Sequence, residues 1–78
     1  MEIFETNIGL FKIFAQDKTG NLLFVQTYLI HNGKGSWENM GYMKRKAFME
    51  LIKPHNPRKK ENEQIAADTF WAAYSSTI

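Results

Sequence analysis

The chain has 78 residues, of which 44% are hydrophobic, and this composition suits one small domain (1–78) with a modest core. It contains no cysteine, which excludes disulfides, thiolate metal sites and a cysteine nucleophile. The net charge is only +2, no apolar run approaches the roughly 20 residues of a membrane span, and the first residues lack the pattern of a secretory leader. We therefore expect a cytoplasmic protein with no membrane partner.

The first predicted element is a β-hairpin of residues 8–16 and 22–31. Asp17 begins its turn and Gly20 closes it in a left-handed conformation, as in common three-residue hairpin loops. Residues that face each other across the hairpin share a face of the sheet. The predicted pairs are Ile8–Ile30, Leu10–Tyr28, Phe11–Thr27, Lys12–Gln26, Ile13–Val25 and Phe14–Phe24.

This register gives the hairpin two unlike faces. One is almost entirely apolar and is predicted to face the core: it carries Phe11, Ile13, Ala15, Leu23, Val25 and Leu29. The other is apolar but interrupted by Lys12 and Gln26, so we expect a helix or a partner to cover part of it. Its apolar members are Ile8, Leu10, Phe14, Phe24, Tyr28 and Ile30.

A second turn is predicted at Asn32-Gly33, because both central positions of a type I′ turn need positive φ. A third antiparallel strand over residues 36–43 would then place Trp37 opposite Tyr28. The alternative is a helix that begins at Ser36, and Gly41 weakens it without excluding it.

Two helices are predicted after this point. Met43, Ala47, Phe48, Leu51 and Ile52 recur at helical spacing until Pro54, and Asn56-Pro57 resembles the start of a second helix that includes residues 65–78. The predicted fold class is therefore α+β, a β-hairpin or three-stranded antiparallel sheet followed by two helices in two layers. The predicted core is Phe11, Ile13, Val25, Leu29, Phe48, Leu51 and Phe70.

Positive charge is concentrated between residues 44 and 60, where Glu50 is the one acid. Such a field attracts phosphates or an acidic protein surface, although a solvated helix face would look the same. If the two helices pack as an antiparallel pair, these cations form one continuous surface. The candidate binding residues are Lys44, Arg45, Lys46, Lys53, Arg58, Lys59 and Lys60.

Aromatic residues lie beside this basic segment in the sequence. Rings that stack on bases, next to cations that follow the phosphates, are how proteins hold single-stranded nucleic acid. The alternative is that these rings belong to the core beneath the last helix. The candidate stacking or interface residues are Phe14, Phe24, Tyr28, Trp37 and Tyr42.

The sequence offers few catalytic groups. His31 and His55 have no carboxylate at metal-ligand spacing, so we expect no metal site and no cofactor. A metal-free nuclease that uses one histidine beside Lys53 and Arg58 is a minor alternative. We expect a protein that binds without catalysing a reaction.

The stretch from Gly41 to Ile52, followed by Lys53 to Lys59, resembles early accessory proteins of tailed, T-even-like bacteriophages. That resemblance implies a small protein in the bacterial host cell that inhibits or redirects a host enzyme, such as a toxin–antitoxin or other defence factor. The leading expectation is a binder of RNA, or of an acidic or nucleic-acid-handling protein. The alternative is an assembly protein that dimerises through the second sheet face or through the edge of its first strand.

Overall fold

The computed structural model describes residues 2–61, 67, 68 and 70. Its elements are β1 Glu2–Thr6, β2 Gly9–Gln16, β3 Leu22–His31, β4 Lys34–Lys44, α1 Arg45–Ile52, a 3₁₀ turn Lys53–His55 and β5 Arg58–Lys60. The strands form one antiparallel sheet in the order β4-β3-β2-β1-β5. The predicted α+β arrangement of a small sheet followed by two helices is wrong, because the described residues are dominated by this five-stranded sheet with one short helix, α1.

The main core lies between the sheet and α1, on what we call the α1 face. Phe48 and Ile52 of α1 are almost completely buried, and the Phe48 ring makes edge contacts with Phe4 and Phe11 at centroid distances of 5.8 and 6.2 Å. The strands contribute Phe11, Ile13, Leu23 and Val25 to the same cluster. Phe11, Ile13, Val25 and Phe48 were predicted to be core residues, and their burial confirms that prediction.

Leu29 and Leu51, also predicted to be buried, are 50% and 40% exposed. The eight residues of α1 bury only Phe48 and Ile52, so Leu51 lies on the solvent side of the helix. Leu29 lies on β3 outside the cluster that α1 covers. Of the predicted core, Phe70 is partly buried, on the other side of the sheet.

The other side of the sheet, the opposite face, has a smaller cluster. Ile3 and Leu10 are buried there, with Tyr28, Trp37 and Phe70 packed against them. The Phe70 ring stands edge-on to Tyr28 at a centroid distance of 6.0 Å. Part of this face is therefore covered by the chain itself. The predicted helix over residues 65–78 lies outside the described residues except at 67, 68 and 70, which are helical.

The hairpin between β2 and β3 has the predicted register over its middle. Phe11 faces Thr27, Lys12 faces Gln26 and Ile13 faces Val25, but a bulge after Ile13 then sets Ala15 opposite Phe24. Gly20 has the expected positive φ of 75°. The predicted pairing of Phe14 with Phe24 is therefore wrong by one residue.

The second turn has the predicted conformation, with φ of 52° at Asn32 and 76° at Gly33. The segment that follows is the strand β4 rather than a helix, and Trp37 lies opposite Tyr28 as predicted. A bulge beside Val25 leaves Met40 as the extra residue between Asn39 and Gly41. The strand interpretation of residues 36–43 is confirmed.

Two strands were not predicted. β1 pairs with β2, so the strand edge that we expected to be available for dimerisation is occupied. Asn56 takes a left-handed conformation with φ of 52° instead of capping a helix, and the following residues 58–60 form β5 on the outer side of β1. The antiparallel helix pair inferred from Asn56-Pro57 is wrong for this reason. None of the helices within the described residues is long and apolar enough to cross a membrane.

Candidate nucleic-acid interface

The five candidate stacking residues all lie on the opposite face of the sheet. Phe24 faces Tyr42 across β3 and β4, Tyr28 faces Trp37 on the same strands, and Phe14 projects from β2. Alternation along the strands explains this placement, because their neighbours Ile13, Val25 and Met43 belong to the core on the α1 face. The structure therefore brings the predicted aromatics together on one surface.

Three of these rings form a continuous row across three strands. The ring centroids of Phe14 and Phe24 are 5.9 Å apart, and those of Phe24 and Tyr42 are 5.0 Å apart. Phe14 is 53% exposed and Tyr42 is 74% exposed, whereas Phe24 between them is half-buried. We call Phe14, Phe24 and Tyr42 the aromatic platform. Large rings exposed side by side on a folded protein typically mark a binding surface.

Tyr28 and Trp37 belong to the covered part of the face. Their ring centroids are 5.2 Å apart, both side chains are partly buried, and Phe70 packs on Tyr28. Their aromatic area is largely used in internal contacts. Of the five predicted aromatics, the platform residues are thus the ones with rings or ring edges available to a ligand.

Two shallow grooves meet at the edge of the platform. The first has a volume of about 380 Å³, in the range of small-ligand clefts, and the second has a volume of about 450 Å³. Both include Asp17 and Leu22 in their walls, so the two grooves adjoin. The first is lined by Phe14, Ala15, Gln16, Asp17, Leu22, Phe24 and Tyr42, and the second by Asp17, Asn21, Leu22, Lys44 and Lys46.

Lys44 and Lys46 supply positive charge beside the platform. Lys44 faces Leu22 at the end of β4, two positions beyond the pair of Tyr42 and Phe24, and therefore shares their side of the sheet. Both lysines are exposed, and neither makes an ion pair within the described residues. An anion that occupies the second groove would meet these two ammonium groups.

Arg45 lies between these lysines in the sequence, but its side chain makes contacts within the protein. Its guanidinium donates hydrogen bonds to the Gly20 carbonyl and to Gln16 Oε1, each at 2.7 Å, and forms an ion pair with Glu2 at 3.2 Å. Its backbone N–H also donates to the Asn21 carbonyl at 2.7 Å. Arg45 thereby fixes the start of α1 to the β2–β3 turn.

The cations of β5 are also paired, and they divide between the two sides of the sheet. Arg58 lies 2.6 Å from Glu5, and Lys60 lies 4.0 Å from the same carboxylate. Lys59 points the other way, toward Glu2 at 3.8 Å, which it shares with Arg45. Four of the predicted cations, Arg45, Arg58, Lys59 and Lys60, are therefore arranged around two acids of β1, whereas Lys53 is exposed and outside these pairs.

Asp17 lies at the junction of the two grooves, where a bare carboxylate would repel phosphate. Its Oδ1 accepts hydrogen bonds from the Thr19 hydroxyl at 3.0 Å and from the N–H groups of Asn21 and Leu22 at 3.1 and 3.3 Å. The Leu22 N–H contributes most to holding the pKa of Asp17 below its ordinary value of 3.8. The negative charge of Asp17 is thus stabilised by hydrogen-bond donors of its own turn.

A polar row crosses the opposite face beside the platform. Lys12 faces Gln26, which in turn faces Asn39, and Gln26 Nε2 donates to Asn39 Oδ1 at 2.7 Å. Lys12 is only 5% exposed, and its ammonium lies 4.2 Å from the centroid of the Trp37 ring. We did not predict the pair of Gln26 and Asn39, because the Met40 bulge decides which β4 residue meets Gln26.

The two histidines do not form part of this surface. His31 ends β3, and His55 belongs to the 3₁₀ turn, where its carbonyl accepts a hydrogen bond from the Asn7 N–H at 2.9 Å. Within the described part of the chain, no three His, Cys, Asp or Glu side chains come together as a metal site would require.

Comparison of the chain with protein-family models, with curated proteins and with solved structures found no match.

Proposed function

We propose that this protein is a non-catalytic RNA-binding protein whose aromatic platform stacks on the bases of a single strand. The observation that carries the proposal is the exposed row of Phe14, Phe24 and Tyr42, which continues into a groove flanked by Lys44 and Lys46. Bases stack on exposed rings in a sequence-tolerant manner, and lysines beside the rings bind the phosphates.

The exposed rings of the platform favour a single strand over a duplex as the ligand. In a duplex the bases are stacked on each other, and the faces of their rings cannot reach a protein surface. A strand laid across the platform would place its bases on the rings and its phosphates toward Lys44 and Lys46. The proposed RNA contacts use these two lysines, because Arg45 and the β5 cations form ion pairs with Glu2 and Glu5.

A second copy of the chain is the competing occupant of the platform. A two-fold interface would bring the same patch of both copies together, and would set Lys44 and Lys46 of each copy beside the contact. This repulsion favours a polyanion over self-association. In the host cell that the phage resemblance implies, bound RNA would be withheld from an RNA-handling enzyme, which gives the protein a regulatory role.

The test is fluorescence anisotropy with a labelled single-stranded oligouridylate of about ten nucleotides, a length that spans sites of this kind. We expect binding whose logarithmic affinity falls with the logarithm of salt concentration, with a slope of about −0.7 for each phosphate neutralised. Tyr42→Ala should weaken binding by about 1–3 kcal/mol, whereas Tyr42→Phe should retain it because stacking needs only the ring.

Leu29→Ala is the matched control, since Leu29 is exposed but lies on the α1 face. Oligothymidylate and an RNA duplex distinguish a general single-strand binder from an RNA binder and from a duplex binder. Wild-type affinity in Tyr42→Ala, or no binding at low salt, would overturn the proposal. A dimer that persists in high salt and excludes RNA would assign the platform to self-association instead.

A further inference from the structure

The polar row beside the platform has the position of a base-reading site. Lys12, Gln26 and Asn39 are register neighbours across β2, β3 and β4. Gln26 lies two positions from Phe24 on the same side of β3, which is a separation of about 6.6 Å. A base stacked on the platform, or the base that follows it along the strand, therefore has its edge within reach of this row.

The hydrogen bond between Gln26 and Asn39 leaves an acceptor oxygen on Gln26 and a donor nitrogen on Asn39 for a ligand. Gln26 uses its Nε2 and Asn39 uses its Oδ1, and no other side-chain bond engages either amide within the described residues. Gln26 Oε1 remains an acceptor and Asn39 Nδ2 remains a donor. Because each amide fixes the rotation of the other, this acceptor and donor are held in a defined orientation before a ligand arrives.

From this geometry, and resting on the RNA-binding function above, we propose that Gln26 and Asn39 select the amino bases, adenine and cytosine, at the edge of the platform. Adenine offers a donor at N6 and cytosine offers one at N4, each beside a ring-nitrogen acceptor, and donor and acceptor groups of amides are suitable partners of such an edge. In a single strand both the Watson–Crick and the Hoogsteen edges are accessible to such groups.

The position of the Lys12 ammonium disfavours guanine as the selected base. An exposed lysine in this row would favour guanine, whose O6 and N7 are both acceptors. The Lys12 ammonium is instead placed over Trp37 and the side chain is 5% exposed, so the groups presented to the ligand are the two neutral amides. The row therefore offers an acceptor to a base amino group and a donor to the ring nitrogen beside it.

The experiment uses labelled oligouridylates of about ten nucleotides in which one central position is uracil, adenine, guanine or cytosine. Anisotropy at fixed salt should show adenine and cytosine bound at least about fivefold more tightly than uracil and guanine. Replacing that adenine with purine riboside, which lacks the 6-amino group, should remove the preference. This comparison needs only the wild-type protein.

Gln26→Met and Asn39→Leu should also abolish the preference while leaving the affinity for oligouridylate nearly unchanged. Asn7→Ala is the matched control, because Asn7 carries an exposed amide in the β1–β2 turn, at the other end of β2 from Phe14. Circular dichroism checks that each variant is folded.

Each outcome bears on one of the two proposals. If no RNA binds, the proposed function fails. If the four oligonucleotides bind equally well, or if the adenine preference survives in Gln26→Met or with purine riboside, this inference is overturned and RNA binding stands.

Discussion

The Arg45 guanidinium reaches three oxygens at once, on Gly20, Gln16 and Glu2. Hydrogen bonds that involve an ion are about twice as strong as neutral ones, and this side chain is about one-third exposed, so its contacts are only partly screened. Lys44 and Lys46 have no comparable partners within the described residues. Of these three consecutive cations, one therefore holds the fold and two are exposed beside the platform.

Asp17 provides a prediction on pH dependence. Its pKa is lowered in the folded state, chiefly by the Leu22 N–H, so the folded chain favours the ionised form more than the unfolded chain does. The stabilisation is present above the ordinary pKa of 3.8 and is lost as pH falls through the lower folded value. We expect the urea midpoint to fall with pH in this acidic range, and to fall less in Asp17→Asn.

The Asp17 carboxyl can be followed directly by NMR titration. A folded-state midpoint at or above 3.8 would contradict the hydrogen-bonding pattern of this turn. Glu50→Gln is a control for the general effect of removing one carboxylate, since Glu50 is exposed on α1 and lies outside the turn.

At the scale of elements, β5 illustrates a strand formed by its context. Its three residues Arg58–Lys60 have neither apolar alternation nor β-branched side chains, which are the usual local signals of a strand. It pairs with β1, where its cations meet Glu5 and Glu2. The carboxylates on both faces of β1 therefore stabilise a strand that the β5 sequence alone does not favour.

We expect Arg58→Glu to destabilise the protein, because it places a second carboxylate next to Glu5. Like charges opposite each other on neighbouring strands cost up to about 1 kcal/mol. Urea denaturation measures the effect, and Lys53→Glu is the control because Lys53 is exposed and outside the ion pairs of β1. Equal midpoints for the two variants would show that the pair of Arg58 and Glu5 contributes nothing to stability.

The sequence predicted the β2–β3 hairpin, both turns and the strand β4, because alternation and turn residues are local signals. It also placed Phe14, Phe24 and Tyr42 among the binding candidates. The bulges after Ile13 and at Met40 were not predicted, since strict alternation is already absent from the sequence around Phe14 and Met40 and cannot show the shift that an extra residue causes. The ion pairs of Arg45 and Arg58 were missed because they depend on β1, which was not recognised as a strand.

At the scale of the whole molecule, the two faces of the sheet differ in how far their side chains are buried. The α1 face encloses the core around Phe48, and the opposite face combines a small internal cluster with the exposed platform. On the opposite face the rings of Phe14 and Tyr42 are exposed, which leaves room for a ligand at the platform. Stability and binding should therefore respond to different sets of mutations.

Phe48→Ala tests the stability side of this division. Removing a fully buried phenylalanine costs about 3–5 kcal/mol, which is comparable with the total stability of a small domain. We expect Phe48→Ala to unfold or nearly unfold, and Phe48→Leu to remain folded with a lower urea midpoint. Leu51→Ala, on the exposed side of the same helix, should change the midpoint little. A larger loss in Leu51→Ala than in Phe48→Leu would mean that α1 presents a different side to the sheet.

The pairing of β1 with β5 also bears on the order in which the chain folds. The β2–β3 and β3–β4 turns are short, so those hairpins close small loops at little entropic cost. Ile3 meets Lys60 only after the whole intervening chain has been brought back on itself. Contacts between residues so distant in sequence slow the search for the native state. The strands β2, β3 and β4 can thus act as the folding nucleus, and β5, at one edge of the sheet, is added last, after β1 has paired with β2.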